Sequence, residues 1–330
     1  MPVGGAGATV TVTGAKADFI ERMKVAAKIT GQIARVVPTT RKSETFPILG
    51  QVAQLVQWTD ERADDDVYET SVTITPKHWG AGLPIHRDTY DDDQVGGYAE
   101  LIRGLSQRAA DFPTKRLLKD VIDAAYSNST FGNAYDGQSF FDTDHADPGP
   151  ATYTTSQDND LTGTAATSTT PTVAEVHTAL DAIEEQFRSF KDSRGEPWHA
   201  DLTSIDGNGG LIILTPPDMW GPVTRAVRDR TLADNVGAAG TGANNVARMG
   251  QYTLIQNPWT VNNERIQALR GNGAFFLLTR AEARFQQVTG QGSGEVSFEA
   301  YNRLFDYYGV DLRLEAGLRQ WRDAVSYIWT

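Results

Sequence analysis

YDGQSFFDTDH, Tyr135 to His145, is the most informative stretch of this 330-residue chain. Two phenylalanines sit between Asp, Gly and Ser residues, a chemically specific string where turn-formers prevail and a loop is expected. Asp142, Asp144 and His145, with Asp147 just beyond, are residue types that bind hard or borderline metals. A metal-dependent hydrolase using the Asp142 to Asp147 cluster is therefore one reading. Alternating Asp side chains in a loop more commonly accept backbone N–H bonds, and no second ligand motif such as HExxH accompanies them, so a structural turn is favoured and no metal is expected.

Outside this stretch the totals exclude several classes. A chain of this length with 40% hydrophobic residues can bury roughly three quarters of the surface it exposes unfolded, without disulfides or metal. The absence of cysteine removes thiol chemistry and thiolate zinc, and fits a reducing compartment. No window approaches the ~18 consecutive apolar residues of a membrane span, and Met1 to Lys16 lacks the regions of a signal peptide, so a soluble, unexported chain with no membrane partner is expected. GQGSGE, Gly290 to Glu295, lacks the GK[ST] ending of a phosphate loop and reads as a hairpin turn. His78, His86, His145, His177 and His199 are scattered, and no serine stands in a GxSxG elbow. The expectation is a protein that is not an enzyme and takes no cofactor.

The net charge of −12 argues against tight gripping of nucleic acid. Its distribution is uneven. Residues 1–43 balance at +5, through Lys16, Arg22, Lys24, Lys28, Arg35, Arg41 and Lys42 against Asp18 and Glu21, so the remainder carries −17.

Along the chain, residues 1–15 read as a flexible or extended arm and Ala17 to about Val36 as a modestly amphipathic helix ended by Pro38. Phe46 to Pro76 reads as two extended runs around an acidic turn, TDERADDD. In the second run Tyr68, Thr70, Val72 and Ile74 alternate with polar residues. A lone two-stranded ribbon is marginal in water, so this one wants a surface, its own or a neighbour's. A long helix is predicted over Val95 to Tyr126, kinked or divided at Pro113. Residues 127–171 read as a polar loop too hydrophilic to bury, and Thr172 as the cap of an amphipathic helix carrying Val173, Val176, Leu180, Ile183 and Phe187. GLIILTPP, Gly210 to Pro217, reads as a buried strand, followed by a helix to about Arg230 and a flexible loop at 236–245. Short strands follow at Tyr252–Ile255, Arg265–Leu269, Phe275–Leu278, Phe298–Tyr301 and Gly309–Ala316, and Trp321 and Trp329 look like core. Without a βαβ cadence the fold class is α+β.

YDGQSFFDTDH, together with FPILGQVAQLVQWTDER, IHRDTYDDD and the closing YYGVDLRLEAGLRQW, resembles the major head subunit family of Mu-like bacteriophages. The resemblance implies an HK97-like tailed-phage capsid fold: an N-terminal arm at 1–45, an extended β loop at 46–76, a peripheral domain with a long spine helix at 77–127 and 286–330, and an axial domain at 128–285. It implies a major capsid protein that self-assembles, as hexamers and pentamers, into an icosahedral virion shell in the host bacterial cytoplasm. Packaged double-stranded DNA would be held by confinement, with a scaffolding protein, a portal and a cement protein as partners. Scaffolding is expected from a separate protein or a pro-segment. Inter-subunit contact candidates are Trp58, Asp64, Asp65, Asp66, Tyr68, Arg103, Arg108 and Lys115, with Arg116 and Lys119 beside them. Lys16, Lys24, Lys28 and Arg35 are candidates for a lumen-facing basic arm. Relatives of this fold that cross-link use a Lys in the extended loop; 46–76 contains none, so no covalent mesh is expected. An encapsulin-like nanocompartment shell is the alternative on the same fold.

Overall fold

The computed structural model describes residues 5–49, 69–86, 97–126, 133–147, 153–200, 210–228, 252–288 and 305–330. The ribbon tip, the loop at 236–245, the turn at 290–295 and the strand expected at 298–301 lie outside them.

The first layer is a four-stranded sheet built from β1 (Ala34–Pro38), β4 (Lys77–His86), β9 (Phe275–Val288) and β10 (Phe305–Leu318) in the order β1-β9-β10-β4. β1 runs parallel to β9, while β10 is antiparallel to both β9 and β4. Helices α1 (Gly5–Ile33) and α2 (Gly97–Lys115) lie together beside this sheet, joined by a partly exposed Arg22–Asp111 ion pair of 3.7 Å. α2 buries Ile102, Ser106, Ala109 and Ala110, three to four residues apart, which is the stripe an amphipathic helix turns to a core. β2 (Glu44–Leu49) and β3 (Glu69–Ile74) form a separate antiparallel ribbon.

The second layer is a five-stranded mixed sheet in the order β5-β11-β8-β6-β7, from β5 (Asp160–Gly163), β6 (Leu211–Thr215), β7 (Tyr252–Gln256), β8 (Arg265–Arg270) and β11 (Ala324–Trp329). All five residues of β6 are buried, as its unbroken apolar run requires of a central strand. α3 (Val173–Ser189) covers the sheet with Val176, Ala179, Leu180, Ile183 and Phe187, and α4 (Trp220–Arg228) lies beside it. Thr172 caps α3 as expected, and reciprocally: its Oγ1 accepts from the Glu175 N–H while the Glu175 carboxylate accepts from the Thr172 N–H. One continuous apolar core joins the two layers, running from Ile33 and Ile102 through Phe140 and Phe275 to Ile183, Trp321 and Trp329.

Several expectations change. Residues 5–16 are helical rather than extended, because lengthening an existing helix adds a hydrogen bond per residue and only nucleation is costly. β1 and β4 carry weak local signals, with two glycines and a proline in β4, and are strands because β9 and β10 offer them hydrogen-bonding edges. Pro113 does not divide the long helix; regular α-helix continues to Lys115 and then passes into a π-helical turn, Arg116–Ile122. The polar 127–171 region is partly core: Asn159 and His145 are fully buried and Gln157 nearly so. β9 pairs with β10 in the first sheet, whereas β11 is hydrogen-bonded between β5 and β8 in the second.

Candidate functional site

The Tyr135–His145 motif folds as a tight loop whose polar groups are turned inward. Gly137 has φ +91°, a left-handed conformation that favours glycine, and its N–H donates to the Ala134 carbonyl at 3.0 Å. This reversal brings Asp136 back over His145, with Nδ1 2.6 Å from the Asp136 carboxylate. Nε2 lies 3.2 Å from the Phe140 carbonyl and the ring stacks on Trp321. Both ring nitrogens are therefore engaged within the loop, leaving no lone pair aimed at a metal. Asp142 accepts from the Thr143 N–H at 2.8 Å, and its own N–H donates to Asn159. Among the described residues no group of three or more His, Asp or Glu is placed to hold a metal ion.

The loop is clasped by the C-terminal segment. Arg322, completely buried, donates to the Lys191 carbonyl at 2.9 Å, to the Tyr135 hydroxyl at 2.5 Å and to the Asp147 carboxylate at 2.7 Å. Its guanidinium lies over Trp321 at 4.0 Å and Trp198 at 5.1 Å. Burial pushes the Asp147 carboxyl up from its ordinary range even with Arg322 opposing, and burial likewise raises the Tyr135 phenol. Asn159 supplies the complementary amide: Nδ2 donates to the Phe140 and Trp321 carbonyls while Oδ1 accepts from Asp142. A side chain with both donor and acceptor can satisfy buried loop backbone that has no strand partner, which is why these polar residues are inside. Sequence reasoning missed Asn159 and Arg322 because nothing local marks either as buried.

Solvent-facing features of another kind lie on the arm, the long helix and the ribbon. Lys24, Lys28 and Arg35 are exposed, as are the apolar Ile20 and Val25 on α1; the Lys16 side chain lies outside the described set. Arg103, Arg108, Lys115 and Lys119 are exposed on α2 and the π turn. Arg116 is not: it is buried, 3.0 Å from both Glu315 and Asp120. Trp58, Asp64, Asp65, Asp66 and Tyr68 fall outside the described residues. The ribbon root rests on its own subunit, with Phe46 stacked on Phe276 at 4.2 Å and Ile74 buried against Phe276 and Leu278.

Residues 9–172 match the family model described as Mu-like prophage major head subunit gpT. The Mu-like prophage FluMu major head subunit of Haemophilus influenzae is 30% identical over 242 residues, 73% of this chain and 72% of that one. The chain belongs to the Mu-like major head subunit family. The major capsid protein of Escherichia phage Mu is 28% identical over 134 residues, 41% of this chain and 42% of the Mu protein. The fold is found again in the bacteriophage PhiM1 mature capsid, with TM-score 0.56 at 10% identity over 91% of this chain and 86% of that one. The cyanophage P-SCSP1u capsid gives 0.53 at 12% identity, with the same coverage. The capsid of the native GTA particle gives 0.52 at 11% identity over 91% and 90%. The α+β, HK97-like architecture expected from the sequence is thus the architecture observed. This Mu-like head subunit is a major capsid protein, and the nanocompartment and hydrolase readings give way to that function. In this Mu-like head subunit the motif loop packs within its own chain, its histidine and carboxylates engaged by neighbouring backbone and side chains.

Proposed function

We propose that the chain tiles an icosahedral virion shell around double-stranded DNA, with the ribbon and the leading helix of each copy lying on its neighbours. The observation that carries this reading is the ribbon itself: its root is fixed to its own sheet, yet among the described residues its two strands pair only with each other. A two-stranded ribbon of this kind gains stability from a surface beyond its root, and in a closed shell one contact repeated around rotation axes supplies it. The tip sequence TDERADDD presents Asp64, Asp65 and Asp66, and the exposed Arg103, Arg108, Lys115 and Lys119 offer the complementary charge on an adjacent copy. Arg116 leaves that set, being paired internally.

In this reading α1 is the arm, β2–β3 the extended loop, the four-stranded sheet with α2 the peripheral domain, and the five-stranded sheet the axial domain. Lys16, Lys24, Lys28 and Arg35 face the lumen, where an acidic wall confines DNA without gripping it. The subunit performs no catalysis, and assembly in the host cytoplasm draws on a scaffolding protein and a portal, with a cement protein outside.

Electron microscopy of the purified recombinant chain tests the reading, closed shells being the expected result and a persistent monomer at high concentration the refuting one. Changing Asp64, Asp65 and Asp66 together to Ala should lower shell yield and salt tolerance; unchanged yield and tolerance would remove the charge-pairing part.

A further inference from the structure

The second ribbon strand, β3, joins the first sheet through Thr75 and Pro76 at Lys77, where three elements meet on one buried carboxylate. Glu315 of β10 has a side chain only 6% exposed. Arg116, on the π-helical turn that follows α2, reaches it from one side with Nε and a terminal nitrogen both 3.0 Å from Oε1. Lys77, the first residue of β4, reaches it from the other, with Nζ 3.1 Å from Oε2. Trp79 closes the corner: its indole N–H donates to the Leu314 carbonyl at 3.0 Å, its ring carries the Arg116 guanidinium at 4.8 Å, and Phe112 of α2 packs against it at 5.0 Å. Two residues further along β10, Gly317 faces the ribbon. A Cβ there would lie 2.5 Å from Ile74 Cδ1 and 2.9 Å from Cγ1, so Ile74 sits against β10 only because that position has no side chain.

We propose that Glu315, shared between Arg116 and Lys77, together with the Gly317 seat for Ile74, is a positioning joint that fixes the direction in which the ribbon leaves the subunit relative to the long helix. The argument is one of charge and space. A carboxylate this buried needs a cation, which the equally buried Arg116 supplies, and the half-exposed Lys77 joins the same carboxylate from the ribbon side, so the ribbon exit and the π turn are held to one point rather than to separate ones. The π turn is the place in the long helix with non-standard hydrogen bonding, so a shift there moves Arg116, and Glu315 transmits it to Lys77. The consequence for shell geometry rests on the tiling reading above, since only a ribbon that reaches a neighbour converts its exit angle into curvature.

The experiment uses the full chain carrying Lys77→Met, chosen because Lys77 is 58% exposed and its loss leaves Glu315 paired with Arg116, so that folding survives. Hydrogen exchange of the amides between Val72 and Lys77 should quicken by roughly tenfold, reporting local opening. The thermal midpoint of the unassembled subunit should stay at the wild-type value, and particle diameters in electron micrographs should shift or spread. Lys77→Arg should restore both exchange and diameter. Gly317→Ala, which displaces Ile74 with the ion cluster intact, should also alter the diameters. Wild-type exchange, wild-type diameters in both variants, or a change explained entirely by lowered global stability would overturn the joint. Should the unaltered chain form no shells, the tiling reading fails, and the exchange measurement alone decides whether the joint exists.

Discussion

The imidazole of His145 lies face to face with the indole of Trp321, ring centroids 4.3 Å apart and planes 9° from parallel. Through this contact the motif loop and the C-terminal segment, far apart in sequence, become one packing unit. Phe190 meets the same indole edge-on at 5.6 Å, so the ring is fixed from two directions. His145→Ala removes the stack and takes the imidazole from the buried Asp136 carboxylate, which keeps the Gln138 N–H, at a cost of about 3 kcal/mol. The urea midpoint of the unassembled subunit should fall accordingly, and a loss below about 1 kcal/mol would show that the ring merely fills space.

Arg322 is the second half of that unit, and lysine cannot replace it. A lysine ammonium is a compact charge on a flexible stem and cannot reproduce the planar fork that reaches Lys191, Tyr135 and Asp147 while stacking on Trp321 and Trp198. Arg322→Lys is expected to cost about 2 to 4 kcal/mol, on the scale of a disturbed buried ion pair. Calorimetry of the variant decides it, and an unchanged melting temperature would contradict the geometry.

Asp123 gives a pH dependence of definite sign. Burial, the dominant influence, raises its carboxyl above the ordinary range, against the lowering effect of Thr260, Val261, Asn262 and Lys119. The folded state therefore holds this proton to higher pH than the unfolded chain does. Its contribution to stability is complete below the unfolded value of about 4 and is lost as pH rises through the higher folded value. The difference in melting temperature between the wild-type chain and Asp123→Asn should shrink or change sign in favour of the variant as pH climbs from about 3.5 to 7. A difference that grows in favour of the wild type over that range would refute the assignment.

The capping box on α3 should behave as a local device. Thr172→Ala removes the acceptor for the Glu175 N–H and is expected to cost about 1 kcal/mol. Glu175, whose carboxyl is held below its ordinary range chiefly by the Thr172 backbone N–H, adds stability above the unfolded carboxyl range that fades as pH falls through the lowered folded value. Thermal melts at neutral pH and near pH 3 separate the two contributions.

Residues 46–76 contain no lysine, and Lys77 at their border is engaged with Glu315. Particles boiled in detergent should run as monomers on a gel. A ladder of covalent oligomers would require a cross-link chemistry other than lysine in the ribbon.

Much of the architecture was readable from local pattern. The Thr172 cap, the apolar face of α3, the buried run of β6 and the alternation of β3 are properties of neighbouring residues, and short-range physics acts on them wherever the chain lies. The acidic tip and the basic leading segment are equally legible, since charge is counted residue by residue. The family resemblance, too, rested on strings of adjacent residues.

Other features depended on partners the local sequence does not name. Arg116 looked like one more exposed cation of the long helix until Glu315, 199 positions away, was placed beside it. Asn159 read as part of a hydrophilic loop until it bonded Phe140 and, across 162 positions, Trp321. β1 and β4 are strands because β9 and β10 present edges to them, and β11 crosses to the second sheet because β5 and β8 leave a place between them. Periodicity and capping energies are set within one turn or strand, so sequence alone determines them. Strand order, the burial of a particular polar side chain and the joint at the ribbon root are set by desolvation and hydrogen bonding between distant segments, and these are decided only when the chain has folded.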